Sequence, residues 1–229
     1  MSRPQFPLCA KCTILACHPI DNIENPNIDK KSAPPFCPMD LHTDALEKAS
    51  GEYRNDSIRE FARQASIQES ECYELIDGKI RTKIPRIEET MQFAHKMTYT
   101  KLGIAFCLGL AKEAATISTI FEKNGFEVTS VCCKVGGIDK EEIGLRPDEK
   151  IMNPEYEPMC NPIAQAEVMN AEKVDLAIVM GLCVGHDTLF IQYCNRPITV
   201  LVVKDRVLAH NPLGALYTSS SVYYGRLMK

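Results

Sequence analysis

No stretch of this chain comes near the ~18 consecutive apolar residues of a membrane-crossing helix, the richest run being Leu176 to Val184. Charge of one sign is missing too: 26 Lys and Arg face 30 Asp and Glu, a formal net charge of −4. That mild acidity argues against a nucleic-acid groove or an anionic membrane surface as partner. The opening residues, Met-Ser-Arg-Pro-Gln-Phe-Pro-Leu-Cys, lack the apolar stretch of a secretory signal, so a cytoplasmic protein is expected. Internal repeats and low-complexity tracts are absent. Apolar residues at 45% and charged residues at 24% exclude a disordered or fibrous chain. At 229 residues there is room for one generous domain, or one domain with a small appendage.

What is plentiful is cysteine, with 11 in the chain. In a cytoplasmic protein, and with an odd count, a disulfide framework is not the expectation. The cysteines must be placed before they can be explained.

Residues 1–40 hold Cys9, Cys12, Cys17 and Cys37 among seven prolines, without a periodic apolar pattern. Such a segment cannot bury enough side chain to order itself, so something must staple it. Residues 41–97 read as a helical region. Leu41, Ala45, Leu46 and Ala49 predict a helix stopped near Gly51. Ile58, Phe61, Ala62 and Ala65 predict another, capped by Ser57 or Asp56, and Ile84 to Met97 a third. From 98 to 229, short apolar runs alternate with helical stretches. Strands are expected at 102–107, 126–132, 174–180 and 198–203, with helices at 110–124, 162–173, 187–194 and after Asn211-Pro212. Strands joined through helices imply parallel pairing. The expectation is a three-layer Rossmann-like α/β domain with a parallel sheet, behind a helical region and a metal-stapled N-terminal segment.

Cys9-x2-Cys12-x4-Cys17, closed by Cys37-Pro38, suits a soft-metal centre. Both tetrahedral zinc and an iron–sulfur cubane need four thiolates around one centre, and the spacing leaves the two open. His18, beside Cys17, is an alternative ligand. The second set emerges from the α/β pattern. Cys107 ends the first strand, Cys132 and Cys133 end the second, Cys160 precedes the Asn161-Pro162 helix start, and Cys183 follows the third strand. Carboxyl ends of parallel strands share one edge, where open α/β sheets bind ligands. Four segments thus deliver thiols to one rim, each beside a helix N-terminus that favours thiolate. Cys132 and Cys133 point oppositely, so one of them faces the site. His186 and His210 are within reach. The readings are a second metal or iron–sulfur centre on Cys107, Cys132 or Cys133, Cys160, Cys183 and His186, a reactive thiol pair in a pocket, or buried core thiols. Cys72 and Cys194 sit in helical patterns and are expected in the core. Asp187 reads as a helix cap or a partner of His186, and Lys204-Asp205-Arg206 as a solvated turn. The loop from Asp139 to Pro158 is long enough to cover the rim as a lid.

The strings Leu102-Gly-Ile-Ala-Phe-Cys107-Leu-Gly-Leu, Cys160-Asn-Pro, Gly181-Leu-Cys183-Val-Gly-His186-Asp187 and Val203-Lys-Asp-Arg-Val-Leu-Ala-His210-Asn-Pro resemble a cysteine-rich prokaryotic family. That family is described as metal-binding and catalogued as domain of unknown function 1847. The N-terminal cysteines are similar to it as well. The resemblance implies metal binding through these cysteines and implies no particular reaction. At fold level the arrangement is also similar to the cluster-bearing α/β domains of carbon monoxide dehydrogenase and hybrid cluster proteins. The expected function is therefore a metal-binding, iron–sulfur protein with a redox or cluster-handling role and a redox or protein partner. The alternatives are a zinc-stapled enzyme with a thiol nucleophile and a non-enzymatic metal carrier or sensor.

Overall fold

A computed structural model describes residues 6–14, 16–17, 33–152 and 154–228. The chain divides into two compact units, Met1–Ser66 and Ile67–Lys229.

In the first unit a 3-10 turn at Cys9–Lys11 precedes the short helix α1 (Pro38–Leu41), helix α2 (Thr43–Glu52) and the start of α3 (Asp56–Glu71). Neither α1 nor α2 buries a residue. The cap of α3 is Asn55 rather than Asp56 or Ser57: its Oδ1 accepts from the Ser57 amide at 3.0 Å and the Ser57 hydroxyl at 2.7 Å. Asp56 and Ser57 already lie within the helix, so Asn55 is the residue placed to reach the unpaired first-turn N–H groups with its short amide.

The expected all-helical region also contains a hairpin. Strands β1 (Tyr73–Ile76) and β2 (Lys79–Thr82) pair antiparallel around Asp77-Gly78. Both turn residues have positive φ, 52° and 71°. That is the two-residue turn for which Asp-Gly is the strongest local signal. All eight strand residues are exposed, so no one-sided apolar pattern marks them.

Helix α4 (Arg86–Lys96) leads into the α/β domain. There β3 (Lys101–Phe106), α5 (Ala111–Lys123), β4 (Glu127–Cys132), α6 (Pro162–Ala171), β5 (Leu176–Met180), α7 (His186–Tyr193), β6 (Ile198–Val202) and α8 (Leu213–Tyr217) follow. The sheet order is β4-β3-β5-β6, all parallel. The sequence strands and helices thus form the Rossmann-like domain. Period-two alternation sorts the side chains. Leu102, Ile104, Ile178 and Met180 face α4 and α5 through Ala94, Ala114 and Phe121. Ala105, Val131, Ala177 and Val179 face α6 and α7 through Ala166, Met169 and Phe190. Every residue of β5 is buried, which explains its unbroken apolar run. Fully burying Phe121, Phe190, Leu102, Ile104 and Met169 contributes about 1.5–3 kcal/mol each. Among the described residues no helix is long and apolar enough to cross a membrane.

Sheet and helix layer are pinned by one buried amide. Gln165 of α6 donates through Nε2 to Val131 O at 2.7 Å and Phe106 O at 3.2 Å, at the ends of β4 and β3. Its own Oε1 is buried without a partner. Gln165→Leu is expected to destabilise the fold by about 1–2 kcal/mol in urea unfolding. It strands the Val131 carbonyl, while removal of the orphan oxygen returns part of the loss.

Candidate functional site

The chain leaves β3 for β4 on one side and returns across the sheet to β5 on the other, so the loops after β3 and β5 diverge. Open α/β sheets hold ligands in the crevice at such a point. Cys107 lies there: its amide donates to Met180 O at 3.1 Å, carrying the ladder one residue beyond the strands. Cys133 does the same on the far side, donating to Phe106 O at 2.9 Å. The next thiol arrives with the long loop. The Asn161 amide donates to Cys133 O at 2.7 Å, and the Asn161 side chain caps α6 by accepting from Ala164 N at 3.0 Å. Cys160 is thereby set beside Cys133.

The sulfurs of Cys107 and Cys160 each interact with that of Cys133, which lies in the middle. Cys133 is 2% exposed; its neighbours are half-buried. Its pKa is pushed up by its hydrogen bonds to Cys107 and Cys160 and by burial, so it stays a thiol and a donor. It has one proton to give and serves the two acceptors in turn. Cys107 is lowered to about 4, foremost by Cys133 and against its burial, with help from the Gly109 amide and Lys204. Lys204 Nζ lies 3.1 Å from its sulfur. Cys160 is lowered to about 5, again foremost by Cys133 and against burial, with the charges of Lys134 and His186 adding to it. The Leu108 amide points at Cys133 Sγ from 3.4 Å.

Cys183 takes its own cation, with an Arg206 guanidinium nitrogen 2.8 Å from its sulfur. The turn after β6, read from sequence as solvated, thus reaches two thiols. Gly181, just past β5, has a positive φ of 61°, and a Cβ there would collide with the Leu110 side chain, so the bend requires glycine. His186 opens α7 with Nδ1 buried and unpartnered. Asp187 neither orients it nor caps the helix: the N-cap is Gly185, and Asp187, already in the first turn, accepts through Oδ1 from the Gly185 amide at 3.0 Å and the Thr188 amide at 2.8 Å. His210 holds the same turn after β6, its Nδ1 accepting from Asp205 N at 3.2 Å. Cys132 packs at the edge of the core, and Cys194 is 8% exposed within it. Cys72 is half-buried beside Gln68.

The loop that brings Cys160 is tied on itself. Asp139 and Pro158 form an isolated bridge, and Lys140 pairs with Glu157 at 2.5 Å. Glu157 also accepts from the Ile151 and Met152 amides at 2.7 and 2.9 Å. These contacts hold its carboxyl at about 2.

In the first unit the 3-10 turn brings the Cys12 amide to Cys9 O at 3.0 Å. Cys9, Cys12, Cys17 and Cys37 line one small cavity of about 60 Å³, together with Ala16 and Pro34. His18 lies outside the described residues. Among the described residues no disulfide forms, and no group of three or more His, Cys, Asp or Glu is arranged to hold a single metal ion.

These features define a Rossmann-like protein with a thiol cluster at the switch point of its parallel sheet. The chain belongs to the family described as Protein of unknown function (DUF1847), which matches residues 37–201. The match takes in Cys37 and every rim cysteine, and leaves out Cys9 to Cys17 and the turn carrying Lys204 and Arg206. An uncharacterized protein of Methanocaldococcus jannaschii is 47% identical over 161 residues, 70% of this chain and 81% of its own. No solved structure matches.

Proposed function

We propose that this is a cytoplasmic thiol-chemistry protein, with an iron–sulfur cluster on Cys9, Cys12, Cys17 and Cys37 and a separate reactive-thiolate site on the α/β rim. The observation that carries the first part is the shared cavity of about 60 Å³, lined by four cysteines from two stretches of chain. The donor set is all soft sulfur, which suits clusters and zinc and excludes hard cations. A lone tetrahedral zinc would draw its sulfurs to within about 3.8 Å of one another, given Zn–S bonds near 2.3 Å. Cys37 followed directly by Pro38, as at the last ligand of bacterial cubane motifs, favours the cluster. When bound, a cluster would supply electron transfer and the cross-link that this segment needs.

At the rim the charges favour thiolate chemistry over a second metal. Cys107 and Cys183 each receive a cation at hydrogen-bond distance, and Lys134 stands by Cys160. Such pairing stabilises a thiolate before any metal arrives, and would repel a divalent ion drawn to the same sulfur. The role fitted by this arrangement is redox, with Cys107 as nucleophile.

Anaerobic purification with metal analysis and electron paramagnetic resonance tests the first part. Brown protein with iron and sulfide is expected. Colourless protein with one zinc per chain overturns the cluster, and metal-free protein overturns the centre altogether.

A further inference from the structure

We propose that Cys107 and Cys133 form a dithiol–disulfide couple whose substrates are low-molecular-weight disulfides. The inference rests on the reading of the rim as a reactive-thiolate site, and it names that site's partner residue and substrate class.

The register supplies the geometry. Phe106 pairs with Cys132 across β3 and β4, and the Cys133 amide bonds Phe106 O, so Cys107 and Cys133 are the next lateral pair. Neighbouring strands run about 4.8 Å apart, inside the ~4.4–6.8 Å separation of Cα atoms that a disulfide spans. Laterally paired residues of parallel strands project to one face, and both thiols pack on the core cluster that includes Ala105 and Val131. Access divides the labour. Cys107 is half-buried, whereas Cys133, at 2% exposure, is closed to a disulfide arriving from solvent.

The exchange balances. The Cys107 thiolate, held by Lys204, attacks one sulfur of the substrate disulfide; a Cys107–substrate bond forms and the other half leaves as thiolate. Once Cys107 is tied up in the mixed disulfide, its charge, the largest influence raising Cys133, is gone, and Cys133 passes its proton to the neighbouring Cys160 thiolate. The resulting Cys133 thiolate attacks Cys107 Sγ, and the second half leaves. One external disulfide is reduced to two thiolates, and the protein gains one disulfide.

Full-length protein treated anaerobically with oxidised glutathione, followed by peptide mass spectrometry, tests this. A Cys107–Cys133 cross-link and two glutathione thiols per chain are expected. Cys133→Ser should stop at glutathionyl-Cys107 with one thiol released, and Cys160→Ser should slow the second release by on the order of a hundredfold. Wild-type protein that keeps a stable glutathione adduct on Cys107, with Cys133 still a thiol, overturns the couple and leaves the thiolate reading standing. A Cys133–Cys160 cross-link overturns the assignment of the pair. Cys107 inert to both glutathione and iodoacetamide overturns the couple and the thiolate reading together.

Discussion

With Cys133→Ala and Lys204→Met combined, the pH midpoint for alkylation of Cys107 is expected to climb from about 4 into the range of roughly 7–8.5 of ordinary thiols. The sign follows from what is removed. Both groups favour the charged form of Cys107, Cys133 as a hydrogen-bond donor and Lys204 as a cation, and Cys133 is the larger influence. Burial, which opposes the charge, stays, and of the named stabilisers only the Gly109 amide remains. Wild-type alkylation should therefore be flat above about pH 5, while the variant's rate should still be rising at pH 8. The rate at one pH would mislead, because a thiolate gains nucleophilicity as its pKa rises, with a slope near 0.4–0.5. That gain cancels most of the lost thiolate fraction at pH 6, so the profile is the readout. Iodoacetamide kinetics from pH 3 to 10, with Cys107 followed by mass spectrometry, measure it. A midpoint unmoved in the double variant would show that neither group governs this thiol. Lys204→Met alone should move it less than Cys133→Ala alone.

The contrast between these two residues also shows what sequence could yield. Cys107 and Cys133 were legible as rim residues because strand ends can be read from apolar runs and caps: Leu102 to Phe106, Phe126 to Cys132, Asn161-Pro162. Strand order was not legible. Lys204 lies 97 residues beyond Cys107, and only the placement of β6 beside β5, and β5 beside β3, brings it to that sulfur. A Lys-Asp-Arg turn reads as solvated whatever it touches. Which of Cys132 and Cys133 joins the other thiols was equally hidden. The choice depends on how far the ladder runs past the strand, and the bond from Cys133 N to Phe106 O decides it. The hairpin at 73–82 is hidden for a different reason. Asp77-Gly78 is a clear turn signal, but its strands bury nothing, so the flanking helical periodicity dominates the pattern.

Cys12→Ser is expected to empty the N-terminal centre and open the chain ahead of Pro38 to proteases, while Ile67–Lys229 melts within about 1 kcal/mol of wild type. The asymmetry comes from where apolar area is buried. Helices α1 and α2 bury nothing, and the 3-10 turn at Cys9–Lys11 buries nothing either. Among its described residues the first unit therefore buries little beyond Pro34 and Cys37 to oppose its conformational entropy. Ligation must supply the difference, and structural metal sites contribute on the order of 10–16 kcal/mol in small domains. Serine offers a hard hydroxyl that stays protonated, so one substitution should remove most of that contribution. The α/β unit has its own core, with both apolar clusters drawn from Ile87 onward. Metal content per chain, limited proteolysis and thermal melting of the same variant separate the two effects. Undiminished metal would exclude Cys12 as a ligand. A melting transition of the α/β unit that collapsed with the metal would instead make the N-terminal centre a determinant of the whole fold, against the independence of its two apolar clusters.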